Sequence, residues 1–196
     1  MKNGRRGHLA LMAGFFAGGT LGAGLAPRPA RSQGSGAQPA GVLRVDGPKP
    51  LPSLALTDPG GARREVSSLA GKGIVLNLWA TWCPPCVEEM PALDRLAALL
   101  AAEDILVIPA SSDRNGRAIV EPFYARTGVK NLGIWLDPNS AATRALGARG
   151  LPTTVLIDRL GRERGRLEGG AAWDGEALLA DVRRLCGDGR ATTEPT

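Results

Sequence analysis

Two of the three cysteines in this 196-residue chain stand three positions apart, in Cys83-Pro84-Pro85-Cys86. Thiols at that spacing close and reopen a disulfide, which is two-electron redox chemistry. Their setting matters as much as their spacing. Ile74 to Ala80 (IVLNLWA) is nearly continuous apolar sequence, as expected of a strand covered on both faces. Pro84 to Ala102 then reads as a helix, with Val87, Met90, Leu93, Ala97 and Leu100 at helical spacing. Cys83 thus falls at a helix's leading end, where unpaired N–H groups and the positive end of the dipole favour thiolate over thiol. Lowering a thiol pKa from about 8.5 to about 7 raises its thiolate fraction at pH 7 from roughly 3% to roughly half. Cys83 is therefore the expected nucleophile. Cys86, one turn inward, is the expected resolving thiol. Pro84 suits the first helical position, where a missing N–H costs nothing. Pro84 and Pro85 together stiffen the loop and remove two donors.

A structural zinc site is the first competing use of such a pair, and it needs four Cys or His ligands. Only Cys186 remains, one hundred residues away, and the single histidine, His8, lies in a segment that reads as a leader. No metal site is expected. An inert disulfide is the other alternative, and the strand-to-helix junction argues for a redox-active pair instead.

The surrounding elements set the frame. Leu54–Thr57 and Arg64–Val66 flank Asp58-Pro59-Gly60-Gly61 as a short hairpin. After the central strand and its helix come a strand at Ile105–Pro109, a helix at Ala118–Arg126, a short strand at Gly133–Leu136 and a helix at Ser140–Leu146. Thr153–Ile157 and Arg162–Glu168 form an antiparallel pair across Asp158-Arg159-Leu160-Gly161. Asp174 is expected to cap a closing helix with Leu178, Leu179, Val182 and Leu185 on one face. The fold class is α/β: a central mixed sheet flanked by helices, with an N-terminal β-hairpin extension.

The formal charge of +5 invites a nucleic-acid partner, and its location removes that reading. Lys2, Arg5, Arg6, Arg28 and Arg31 occupy the first 32 residues without an acid among them; of 24 cations, 19 remain against 19 acids. A neutral body without a basic stripe offers no phosphate footprint. Residues 1–32 read as an export signal: a cationic start, an apolar stretch from Leu9 to Ala26, and Ala30 and Ser32 as an A-x-S cleavage pattern. Arg5-Arg6 resembles a twin-arginine signal, with His8 where phenylalanine is usual. An uncleaved anchor over residues 9–26 is the alternative, and either reading places the domain outside the cytoplasm, in the periplasm. Residues 33–50, rich in Pro, Gly and Ala, read as linker, residues 51–187 as the domain and 188–196 as a flexible tail.

Trp79-Ala-Thr-Trp82-Cys83-Pro-Pro-Cys86 resembles the active-site signature of TlpA-, ResA- and CcmG-like extracytoplasmic thioredoxins, with likeness extending over about Leu51 to Leu185. Asn77, Glu89, Pro91 and Pro152 carry it beyond the motif. The resemblance implies a thioredoxin-like fold without cofactor. Asn77 stands where many thioredoxins hold a proton-handling aspartate, so another group must take that part. Glu89, one turn past Cys86, matches the glutamate this branch uses for proton transfer; on its residues alone it is a solvated helix position like Glu88. Pro91 matches the proline that interrupts this helix. Gly150-Leu151-Pro152-Thr153-Thr154 matches the loop with a cis proline opposite the two cysteines, where backbone groups pair with extended substrate. Trp82 covers the active site and Trp79 belongs to the core. Cys186 is expected as a buried, inert thiol.

The resemblance further implies a monomer that reduces disulfides of exported proteins, such as apocytochrome c or copper-site assembly proteins, and that is re-reduced by a membrane thiol–disulfide transporter. A thiol oxidase of the same fold is one rival, since each 30 mV is worth about 1.4 kcal/mol. A Cu(I) chaperone is another, because soft thiolates suit Cu(I), but no Met/His cluster accompanies them. A peroxidase is disfavoured, as Thr81 stands only two residues before Cys83.

Overall fold

A computed structural model describes residues 41–187. The export-signal, tail and most linker expectations fall on residues 1–40 and 188–196, outside the described residues. The elements run β1 (Leu43–Pro50), β2 (Ala55–Thr57), β3 (Arg63–Glu65), β4 (Gly73–Trp79), α1 (Pro84–Leu100), β5 (Ile105–Ser111), α2 (Arg117–Thr127), β6 (Trp135–Leu136), α3 (Ala141–Ala145), β7 (Thr153–Ile157), β8 (Arg162–Glu168) and α4 (Glu176–Gly187). The eight strands form one sheet in the order β1-β8-β7-β4-β5-β6-β2-β3. The pairs β4–β5 and β5–β6 are parallel, while β4–β7, β7–β8, β8–β1, β6–β2 and β2–β3 are antiparallel. This is a thioredoxin-like fold with a mixed central sheet, as expected.

The sheet's centre positions the site. Every residue of β4 is buried, and its side chains alternate between two cores. Val75 and Trp79 face the core shared with α1, α2 and α4. Ile74, Leu76 and Leu78 face the one shared with Leu54, Val66 and α3. Fully burying each such aliphatic chain contributes about 1.5–3 kcal/mol. The alternation puts Asn77 on the α1 side, in phase with Val75 and Trp79. Pro91 sits inside α1 without ending it, at the loss of one backbone hydrogen bond.

Two expectations need correction. Residues Leu43–Pro50 are not linker: they pair with β8 as an edge strand, with a shift of register between Val45 and Lys49. Seven of its eight residues are exposed, so no apolar alternation marks it. At a sheet edge Pro48 and Pro50 are tolerated because outward N–H groups need no partner. The domain therefore begins before Leu51. Asp174 does not stand next to the first residue of α4; its carboxylate accepts from Arg95 Nε at 2.7 Å instead. Gly175 stands between Asp174 and the helix.

Candidate active site

Cys83 occupies the N-cap position of α1, and Pro84 and Pro85 fill its first turn. Those prolines replace two of the three first-turn N–H groups, leaving that of Cys86. Cys83 and Cys86 are joined in a disulfide with Cα atoms 5.3 Å apart. The Cys83 side is 4% exposed and Cys86 is fully buried, so an incoming thiol or disulfide meets Cys83 first. Trp82, beside it, is 67% exposed. Trp79 is buried, its ring stacked at 6.0 Å on Tyr124. The Leu151–Pro152 bond is cis, and the Pro152 carbonyl accepts the Gly169 N–H at 2.9 Å. Leu78 pairs with Thr153 across β4 and β7, which sets Pro152 at the end of β4 that leads into Cys83. Leu151 packs against the core that holds both cysteines.

Glu89 is not a solvated helix position. It is buried, and three donors converge on it. Asn77 Nδ2 donates to Oε1 at 2.8 Å, while Trp173 Nε1 at 2.8 Å and the Ala171 N–H at 3.0 Å donate to Oε2. Burial pushes its carboxyl up to about 7, and the Trp173, Asn77 and Ala171 donors hold it from rising further. Glu89 borders a concavity of about 360 Å³ together with Pro85, Gly170 and Ala171, which connects a buried carboxyl to solvent. Asn77 also donates to Thr154 Oγ1 at 2.9 Å, whereas its own Oδ1 is buried without a partner among the described residues.

Three members of this arrangement escape the sequence. Trp173 lies in Gly-Gly-Ala-Ala-Trp-Asp, far from the cysteines in the chain. A lone tryptophan in a small-residue loop is the available signal, because a buried indole N–H needs an acceptor. Thr154 carries no marker beyond its place after Pro152. Asp113 anchors the loop before Trp82, taking the Thr81 N–H at 2.9 Å, Thr81 Oγ1 at 2.7 Å and Ser111 Oγ at 2.8 Å. Cys186 is buried, with Sγ 3.5 Å from the Ile74 carbonyl. Burial pushes its thiol up to about 12. No group of three or more metal-ligating side chains occurs among the described residues, and none of their helices is long and apolar enough to cross a membrane.

Fold and site together define a class: a thioredoxin-like domain with a disulfide at the mouth of a helix and a buried carboxyl one turn behind it. The chain belongs to the Redoxin family, whose model matches residues 47–172. It is 33% identical over 114 residues to thiol-disulfide oxidoreductase ResA of Bacillus thuringiensis (strain Al Hakam), covering 58% of this chain and 65% of that protein. With ResA of Geobacillus kaustophilus (strain HTA426) the identity is 34% over 110 residues, covering 56% and 62%. The chain thus spans somewhat less than two thirds of the length of these relatives. Among solved structures, a Chlorobium tepidum chain described as a candidate thiol:disulfide interchange protein DsbE superposes with a TM-score of 0.62 at 26% identity. That match covers 72% of this chain and 99% of the other.

Proposed function

We propose that this chain is a periplasmic thiol–disulfide oxidoreductase that reduces disulfides of exported proteins. The observation that carries the reading is the Cys83–Cys86 disulfide at the N-terminus of α1, with Glu89 buried one turn behind it. In the reduced protein, the Cys83 thiolate attacks one sulfur of a substrate disulfide. That S–S bond breaks, a Cys83–substrate bond forms, and the departing thiolate takes a proton. Cys86 then displaces the second substrate sulfur, leaving Cys83–Cys86 oxidised and the substrate as two thiols. Cys86 must lose its proton to attack, and Glu89 takes it, since a carboxyl near 7 exists in both forms at neutral pH. Asn77 serves either form: its Nδ2 donates to the carboxylate, and with the amide turned over its Oδ1 accepts from the acid. The substrate backbone lies along the Pro152 loop beside Leu151, against Trp82, Pro84 and Pro85.

The ResA relatives support the chemistry and the apolar leader supports export. The substrates belong to exported proteins of the apocytochrome c or copper-site type, and a membrane thiol–disulfide transporter returns the two electrons. Equilibrating the chain in glutathione buffers, with Trp82 fluorescence as the reporter, tests the direction. A potential below that of the glutathione couple is expected. A value near about −120 mV, that of a strong oxidant, contradicts the reductase reading.

A further inference from the structure

Beside Trp82, outside the carboxyl ends of the parallel strands β4, β5 and β6, lies a concavity of about 1060 Å³. That end of an open α/β sheet is where ligands settle. Two observations set this concavity apart from a mere gap between loops. Its apolar surface is presented to water: Trp82 is 67% exposed and Ile119 39%. These are two of the six exposed large apolar side chains among the described residues, and both line this one cavity.

Its lining also carries more positive than negative charge. Arg114 and Arg144 line it, both exposed. Neither guanidinium meets a carboxylate among the described residues; that of Arg144 donates to the Asn139 carbonyl. The acid in the lining, Asp113, is already occupied by Thr81 and Ser111. Asp137, behind the wall, is buried and spends its oxygens on the Ala142 and Thr143 N–H groups and on Thr143 Oγ1. The lining therefore holds two exposed guanidiniums against one carboxylate, an excess of positive charge beside the apolar Trp82 and Ile119. In its wall Asn139 and Ser140 hold positive φ of 56° and 53°.

We infer that this groove seats the segment flanking the substrate's cysteine and selects polypeptides with acidic residues beside their disulfide. The inference rests on the oxidoreductase reading and deepens it by naming the chemistry of the substrate. An extended segment attached through its sulfur to Cys83 runs over Trp82 into the groove, placing Asp or Glu side chains against Arg114 and Arg144. Charge complementarity of this kind acts on the rate of encounter. The sites that exchange electrons are untouched by it.

The test uses the reduced full chain and three synthetic peptides. Each carries one cysteine as a mixed disulfide with thionitrobenzoate, flanked on both sides by Glu, Gln or Lys. Cys83 attacks the peptide sulfur, the yellow thionitrobenzoate anion leaves, and Cys86 then frees the peptide thiol. The expected order is Glu, then Gln, then Lys, with the extremes about tenfold apart at low ionic strength and converging in high salt. Arg114→Glu/Arg144→Glu inverts the order, and Arg114→Gln/Arg144→Gln flattens it. The rate with dithiodipyridine, small and uncharged, stays unchanged in both variants, which shows that fold and thiols are intact. Equal rates for the three peptides, or an order that survives charge reversal, overturn the inference. If the wild-type chain fails even with dithiodipyridine, the oxidoreductase reading falls by itself. The groove is then read by binding alone, from the effect on Trp82 fluorescence of the Glu-flanked peptide with serine in place of cysteine. Binding that is lost on charge reversal supports the groove, and no binding overturns it.

Discussion

The two ends of β4 each meet sulfur, and the two sulfurs have opposite characters. Where the strand finishes, the chain turns into the leading end of α1, and Cys83 sits at its N-cap, 4% exposed. Where the strand starts, Gly73 packs on the last turn of α4, and Cys186 is sealed between them. A helix's leading end favours negative charge and its trailing end opposes it. Burial deepens the contrast: it pushes the fully covered Cys186 thiol up to about 12, while Cys83 keeps a small exposed edge. On the proposed reading, reactivity is a property of location along one strand, with redox exchange assigned to the cysteine at one end and packing to the one at the other.

The largest expected effect breaks the comparison at the reactive end. Cys83→Ser abolishes disulfide exchange, a loss of at least about a thousandfold in stopped-flow reduction of a peptide disulfide. Cys186→Ala leaves that rate within about twofold. Next comes Glu89→Gln, which slows the release of substrate from the mixed disulfide by about a hundredfold, measured in single-turnover quench experiments. The same variant changes stability with pH. Burial raises the folded carboxyl from the ordinary 4.5 to about 7, so the native state holds its proton more tightly than the unfolded chain. Wild-type stability therefore falls as pH rises from about 4.5 to about 7. Glu89→Gln, which cannot ionise, removes that slope, worth on the order of 3 kcal/mol by urea unfolding at pH 5 and pH 8. Its amide is accommodated once the Asn77 amide turns over, so that the Oδ1 without a partner takes the place of Nδ2 and accepts from it.

The quiet end of β4 carries a smaller effect. A Cβ at Gly73 comes within 2.5 Å of the Cys186 carbonyl oxygen and 2.8 Å of its Cβ. Gly73→Ala forces β4 and α4 apart and costs about 1–3 kcal/mol in denaturant melts. Its exchange rate stays unaltered, since the reactive end is six residues away along the strand.

The reactive end was the more legible of the two. An apolar run followed by Cys-Pro-Pro-Cys sets strand, helix and N-cap from local signals, and Thr153–Ile157 and Arg162–Glu168 are the observed bounds of β7 and β8. Local signals fail where partners come from afar. Glu89 and Glu88 look alike as neighbours on a helix; Trp173, eighty-four residues away, and Asn77 distinguish them. Strand β1 has linker composition, because an exposed edge needs backbone pairing and little else. Asp113 is invisible for the same reason as Trp173, since the loop it anchors, at Thr81, lies thirty-two residues back in the chain.

The most direct test of the account follows labelling of the three sulfurs in the reduced, folded chain. Brief exposure to iodoacetamide at pH 7, quenching and peptide mass mapping is expected to find label on Cys83, with Cys186 labelled only after unfolding in guanidinium. In Cys86→Ser, a disulfide-bearing peptide is expected to remain attached at Cys83 in one-to-one ratio. Label appearing on Cys186 as fast as on Cys83, or a Cys86→Ser chain that accumulates no adduct, contradicts the assignment of nucleophile and resolving thiol on which the account rests.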